Sequence, residues 1–188
     1  MKILAILASP RRDGKLSKML SVTSEAAKAA GHEVETVNLY AQNIGYCTGC
    51  MQCRKDGVCV LKDDLAAIRE SLLHCDVVVM AAPTYFANVP AAAKNLFDRL
   101  SGAIMDENSI GIPKGRLSKQ QKYLLLTACT TFAPFDWLCG QSSGVLRAMR
   151  EVFKTAGMTQ LGTVVFAGSK GKQEIPAHIQ NRLKKYWN

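Results

Sequence analysis

Residues 2–17, KILAILASPRRDGKLS, decide the fold. After Lys2 the run ILAILA offers no polar side chain, so a strand built from it has no face suited to water and belongs inside a parallel sheet covered on both sides. Ser9-Pro10 ends the strand, and RRDG makes a polar loop. The stretch LSKMLSVTSEAAKAAG then has the spacing of a helix, with Gly31 supplying the left-handed stop.

The same strand, loop and helix unit recurs along the chain. HEVETVNL (32–39) is a strand, a cysteine-bearing loop follows, and DDLAAIRESLLH (63–74) is a helix with carboxylates at its positive end. CDVVVMAAP (75–83) is a third strand and VPAAAKNLFDRL (89–100) a helix with Pro90 in its first turn. QKYLLLTAC (121–129), SGVLRAMREVFKTAG (143–157), MTQLGTVVFAG (158–168) and IPAHIQNRLKKYW (175–187) continue as strand, helix, strand and helix. The expected class is α/β: a flavodoxin-like, doubly wound, five-stranded parallel sheet of order 2-1-3-4-5 with helices on both faces. No internal repeat, low-complexity tract or linker interrupts it, so residues 1–188 are expected to form one domain with a cysteine-rich insertion loop at 43–60.

A chain of 188 residues, 48% hydrophobic and 21% charged, can bury a full core without disulfide or metal staples. It carries no signal-like leader and no apolar run long enough to cross a bilayer, which leads us to expect a cytoplasmic protein with no membrane partner. In that reducing setting cysteines are thiols, metal ligands or redox centres. The net charge of +9 lies wholly in residues 113–188, where twelve basic side chains face three acidic ones. That excess suits a solvated basic surface, an acidic redox partner such as ferredoxin, or the phosphates of a nucleotide. No helix-turn-helix, zinc-finger or RNA-recognition signature accompanies it, so nucleic acid is not expected as a partner.

In the 2-1-3-4-5 order ligands bind where the strands end, beside the switch point between strands 1 and 3. The loops after Ala8, Ala82 and Ala128 are therefore the candidates. The first, Ser9 to Ser17, feeds a helix N-terminus whose unpaired N–H groups favour an anion, and Ser9, Ser17 and Arg11 add donors suited to a phosphate. Neither G-x-x-x-x-G-K-[ST] nor G-x-G-x-x-G is present, so a monophosphate fits better than a triphosphate or a dinucleotide. The second loop places Pro83, Thr84, Tyr85 and Phe86 together, a mixture of apolar walls and backbone donors suited to a flat heteroaromatic ring.

Two of these loops also resemble a known family. ASPRRDGKLSKML is similar to the S-P-R-x-x-G-N-[ST] loop of the NAD(P)H-dependent FMN reductases. P-x-Y-x-x-x-x-P-A-x-x-K-x-x-x-D-R of that family matches the run from Pro83 to Arg99. The resemblance implies an FMN phosphate held by Ser9, Arg11, Arg12, Gly14, Lys15, Leu16 and Ser17, with Lys15-Leu16 standing where the family has Asn followed by Ser or Thr. It implies an isoalloxazine cradled by Pro83, Thr84, Tyr85, Phe86 and Asn88, completed by Thr130 and Thr131 of the third loop. It also implies a homodimer or tetramer. Phe135 and Trp137 are expected to pack or to sit at an interface, and Cys129 and Cys139 to be ordinary thiols.

CTGCMQCRKDGVC (47–59) places Cys47, Cys50, Cys53 and Cys59 within thirteen residues. Zinc sites usually separate two C-x-x-C pairs by a dozen or more residues, whereas thiolates at every third position suit an iron-sulfur cluster. A bare thiol or redox-disulfide loop and a zinc site are the remaining alternatives. Together with the flavin loops, the stretch resembles the cysteine motif of the iron-sulfur flavoproteins, which implies a [4Fe-4S] cluster on these four residues beside FMN. His32, His74 and His178 show no ligand spacing, and Asp63 and Asp64 are expected to start a helix. The resulting expectation is an FMN-dependent oxidoreductase that moves electrons between NAD(P)H or ferredoxin, flavin and cluster, and a quinone, oxygen species or protein acceptor. It names no catalytic side chain, since the chemistry is the cofactor's. A cluster-free FMN or quinone reductase and a non-enzymatic flavodoxin-like carrier are the alternatives.

Overall fold

The computed structural model describes residues 1–107 and 111–187. In chain order the elements are β1 Lys2–Leu7, α1 Lys15–Ala29, β2 Glu33–Asn38, α2 Cys53–Asp56, α3 Leu65–His74, β3 Val77–Ala81, α4 Ala91–Ile104, β4 Met105–Glu107 and β5 Pro113–Gly115. They continue with β6 Lys122–Ala128, α5 Phe135–Leu138, α6 Gln141–Thr155, β7 Thr159–Phe166 and α7 Ala177–Lys184. Among the described residues five strands form a parallel sheet in the order β2-β1-β3-β6-β7, which is the 2-1-3-4-5 order expected from the sequence.

Alternation of side chains along each strand divides the core in two. Leu4, Ile6, Val78, Met80 and Leu125 point to one face, where α3, α4 and α6 cover them with residues such as Ile68, Leu96 and Met149. Ile3, Ala5, Leu7, Val77, Val79 and Leu126 point to the other, beneath Met19, Leu20 and Leu183 of α1 and α7. Covering both faces is what makes the central strands β1, β3 and β6 apolar over almost their whole length.

Three elements differ from the sequence expectation. Helix α4 runs to Ile104 rather than Leu100, because Gly102 is a contact point and not a stop: a Cβ there would lie 2.4 Å from the Cys53 carbonyl oxygen, so the short helix α2 rests directly on it. Pro90 is the N-cap of that helix, just outside its first turn. An antiparallel ribbon, β4 with β5, follows α4 and was not expected, its strands being only three residues long. The last helix ends at Lys184, and a 3-10 turn over Lys185–Trp187 buries Trp187, whose Nε1–H donates to Thr23 Oγ1 at 2.9 Å.

The cysteine loop between β2 and α3 is tied down at its base. Asp63 and Asp64 do start α3, with Asp64 as its N-cap and Asp63 Oδ1 accepting the Leu65 N–H at 3.2 Å. They also reach back across the loop: Asp64 Oδ2 accepts the Asn43 N–H at 2.6 Å and Asp63 Oδ2 accepts the Gly45 N–H at 2.9 Å. Arg99 of α4, its side chain wholly buried, grips Asp63 through both carboxylate oxygens at 2.8 and 3.0 Å. Burial opposes the charge on Asp63, but the hydrogen bonds from Arg99, Gly45 and Leu65 outweigh it and hold the carboxyl below its ordinary value.

Because the folded value lies below the unfolded one, the pair's stabilisation is present above the ordinary carboxylate range and is lost as pH falls through the depressed value. Urea unfolding of Asp63→Asn is expected to show a loss of about 3–5 kcal/mol at neutral pH, since it leaves a buried guanidinium without its counter-charge. The gap to the wild type is expected to close below about pH 4. Gly102→Ala is expected to cost about 1–3 kcal/mol in the same assay, because the backbone of α2 must move to admit the methyl group.

Candidate functional site

Parallel register brings the strand ends into line. Leu7 pairs with Ala81, Ala81 with Leu126 and Ala128 with Phe166, so the loops after β1, β3, β6 and β7 leave the same edge of the sheet. Between them lies a cleft of about 770 Å³.

Its floor is the loop after β1 and the start of α1. Gly14 is the N-cap and supplies no capping side chain, which leaves the first N–H groups of the helix open to an anion. A Cβ on Gly14 would lie 3.0 Å from Arg11 Cβ and 3.1 Å from Arg11 O, so the tight turn favours glycine here. Ser9, nearly buried, accepts the Arg11 N–H at 3.3 Å and thereby shapes the turn. Arg11, Arg12, Gly14, Lys15 and Leu16 all line the cleft.

One wall is the loop after β3, with Pro83, Thr84 and Tyr85 on the lining. The Thr84 hydroxyl donates to the Gln141 carbonyl at 2.8 Å, which fixes this loop to α6. Beyond it the chain turns back on itself: Tyr85 and Asn88 exchange both backbone hydrogen bonds at 3.0 Å, and the two residues between them, Phe86 and Ala87, have φ of 50° and 58°. Left-handed backbone at two residues that are not glycine is strained, and such turns persist only where their surroundings hold them. Gly144 of α6 is that support, since a Cβ on it would meet the Ala87 carbonyl oxygen at 2.0 Å.

Four sequence candidates lie off the lining. Ser17 sits half-buried on α1, Phe86 is fully exposed at the tip of the turn, and Asn88 faces a second groove between α4 and α6. Thr131 accepts the Gly168 N–H at 2.8 Å, while its neighbour Thr130 does reach the cleft.

The opposite wall was missed. Ser169, Lys170, Lys172 and Gln173, from the loop after β7, line the cleft with Lys18 and Asp13. Lys18 Nζ binds the Gln173 carbonyl at 2.9 Å and Glu174 at 2.6 Å, joining that loop to α1. The signal was present as the basic excess of the C-terminal part and as Gly168 and Gly171, both of which adopt positive φ. Tyr40, just after β2, was also unremarked. Burial pushes its phenol up, and the Tyr85 phenol adds to the effect.

Cys47 and Cys50 are exposed on the loop after β2, and Cys53 and Cys59 are half-buried. Four thiols on one loop suit a soft metal centre in kind and number, although among the described residues no three metal-ligating side chains are drawn together. Hydrogen bonds from the Gln52 backbone and the Thr48 hydroxyl draw the Cys50 thiol below its ordinary value. Burial does the reverse at Cys75, pushed up to about 12, and at Cys129; Cys139 is exposed. Phe135 and Trp137 lie largely exposed beyond β6, near Phe132 and Leu138.

Two relatives named iron-sulfur flavoprotein are similar over about the same length. One, from Archaeoglobus fulgidus, is 40% identical over 100 residues, which is 53% of this chain and 46% of the relative. The other, from Methanosarcina thermophila, is 38% identical over 99 residues, or 53% of this chain and 52% of the relative. The chain spans about half the length of the curated relatives it matches. Among solved structures, an NAD(P)H:quinone oxidoreductase from Methanothermobacter marburgensis superposes with a TM-score of 0.78 at 16% identity, covering 100% of this chain and 94% of that one. An FMN-dependent NADH-azoreductase from Bacillus anthracis, in complex with FMN, gives 0.73 at 17% identity over 99% of this chain and 95% of that one. At such identities the likeness is one of fold. A family model described as flavodoxin-like fold matches residues 1–188, and the chain belongs to that family.

Proposed function

We propose that the chain is an FMN-dependent oxidoreductase that binds FMN in the cleft at the carboxyl edge of the sheet. The observation that carries this reading is the uncapped N-terminus of α1, opening beside Arg11 and Lys15 into a cleft whose other side is a proline- and tyrosine-bearing loop. A volume of about 770 Å³ is within the usual size of cofactor pockets. The names of the relatives and of the structural neighbours support the same choice.

Bound FMN supplies one- and two-electron transfer, which lets a hydride donor such as NAD(P)H and a one-electron carrier such as ferredoxin serve the same site. The protein's part is to bind and orient. Backbone N–H groups at Lys15 and Leu16, the Ser9 hydroxyl and the Arg11 and Lys15 cations hold the phosphate. Pro83, Thr84 and Tyr85 form the wall for the ring, and the bond from Thr84 to Gln141 keeps that wall in place. Thr130 closes the third side, with Lys170 and Lys172 adding positive potential over the opening. No side chain is needed as a nucleophile or general acid.

In the same reading Cys47, Cys50, Cys53 and Cys59 hold a [4Fe-4S] cluster, supported by the names of the relatives and by the soft donor set on one loop. A quinone, an oxygen species or a redox protein accepts the electrons. The assembly is a homodimer or tetramer in a reducing cytoplasm, with Phe86, Phe132, Phe135 and Trp137 as apolar surface near the cleft. No helix among the described residues is long and apolar enough to cross a membrane. One observation favours a second reading, a cluster-free NAD(P)H-dependent FMN or quinone reductase: among the described residues the four thiols are not gathered into a ligand set.

Anaerobic purification, an absorption spectrum and iron and acid-labile sulfide analysis separate the two. Flavin bands with equal iron and sulfide are expected. Flavin without iron selects the second reading, and absence of flavin overturns both. Arg11→Ala is expected to weaken FMN binding about tenfold by losing a charge-assisted hydrogen bond. Riboflavin, which lacks the phosphate, is expected to bind both proteins alike, and isothermal titration with the two flavins checks this.

A further inference from the structure

The Arg99 guanidinium sits where the cysteine loop begins and ends. Its Nη1–H donates to the Gly45 carbonyl at 2.5 Å, two residues before Cys47, and its fork grips Asp63, four residues after Cys59, the last cysteine. Asp63 holds the guanidinium flat through both oxygens. The residue is only 2% exposed, and its Nε–H is buried without an acceptor. A buried donor left unpaired costs free energy, so this is an unfilled place in an otherwise satisfied network.

We infer that Arg99 is the positioning residue that closes the cysteine loop, fixing Gly45 and Asp63 against each other so that the four thiols between them can converge on one centre. A planar fork is needed to bind a carboxylate edge-on while donating to a further acceptor, the Gly45 carbonyl, and lysine has no such geometry. Helix α4 gives the clamp its rigidity: it starts at Pro90, directly after the turn on the cleft wall, and its Gly102 carries the backbone of Cys53. The closing of the loop and the wall of the cleft thus belong to one rod. Only the metal-content arm of the test below rests on the cluster reading.

The test compares wild type, Arg99→Lys and Arg99→Gln, each loaded with FMN, by anaerobic alkylation with iodoacetamide read site by site in a mass spectrometer. Iron and sulfide are then measured after anaerobic reconstitution. Both variants are expected to keep their FMN and to protect Cys75 and Cys129 as the wild type does, while Cys59 is alkylated about tenfold faster through local opening of the loop. Reconstituted iron and sulfide are expected to fall below about half of the wild-type content, as loss of outer hydrogen bonding weakens metal sites at least tenfold. Unchanged alkylation of Cys59 overturns the inference. So does equal acceleration at Cys75 and Cys129, which marks a merely global loss of stability. If the wild type takes up no iron, the cluster reading fails and the alkylation result alone decides the clamp. If both Arg99 variants fail to fold, Asp63→Asn, which retains the guanidinium but frees it to swing, is read by the same alkylation, with faster Cys59 expected and an unchanged rate overturning the inference.

Discussion

Parallel pairing of β1 with β3, and of β3 with β6, is the constraint on which the rest depends. Antiparallel strands would send successive loops to opposite edges. Parallel ones in register deliver every βα loop to one edge, and the hydrogen-bond ladder continues past the strands: Ala8 N–H binds Ala81 O, Ala82 N–H binds Leu126 O and Cys129 N–H binds Phe166 O, at 2.8 to 3.1 Å. The first residue of each cleft loop is thereby held as firmly as the sheet itself. From there the loops diverge, and the cleft is the space they leave.

The sheet was legible in the chain because its signal is local and dense. Ile3 to Ala8 and Val77 to Ala82 are apolar at every position, a pattern that only a doubly covered strand explains. The place of the loop after β1 in the cleft was legible for a related reason, since Ser9, Arg11 and Gly14 fall within one turn that the fold itself aims. The wall formed by Lys170 and Lys172 lies more than 150 residues away from Ser9, and nothing local says that two lysines in a polar loop face a cleft rather than water. Arg99 was hidden differently. It closes the motif that runs from Pro83, and its burial follows only from Asp63 meeting it across the fold.

A buried charge at that place is costly, and the structure offsets the cost by saturation. Asp63 accepts from Arg99 twice, from Gly45 and from Leu65, so the carboxylate meets donors on all its accessible sides. Such a pair contributes definition more than net stability. It gives the segment around Gly45 a single position although that segment has no regular secondary structure of its own. The short helix α2 adds a second fixed point by resting on Gly102.

The turn at Phe86 and Ala87 couples the stability of the fold to what lies against it. Its left-handed residues raise the free energy of the native state, and the Phe86 ring, fully exposed, recovers none of that through burial. Any occupant that covers the ring binds the folded chain and not the unfolded one, so it lifts the melting temperature in proportion to the logarithm of its free concentration. A thermal shift series is therefore a ligand screen for this surface that requires no assay of turnover.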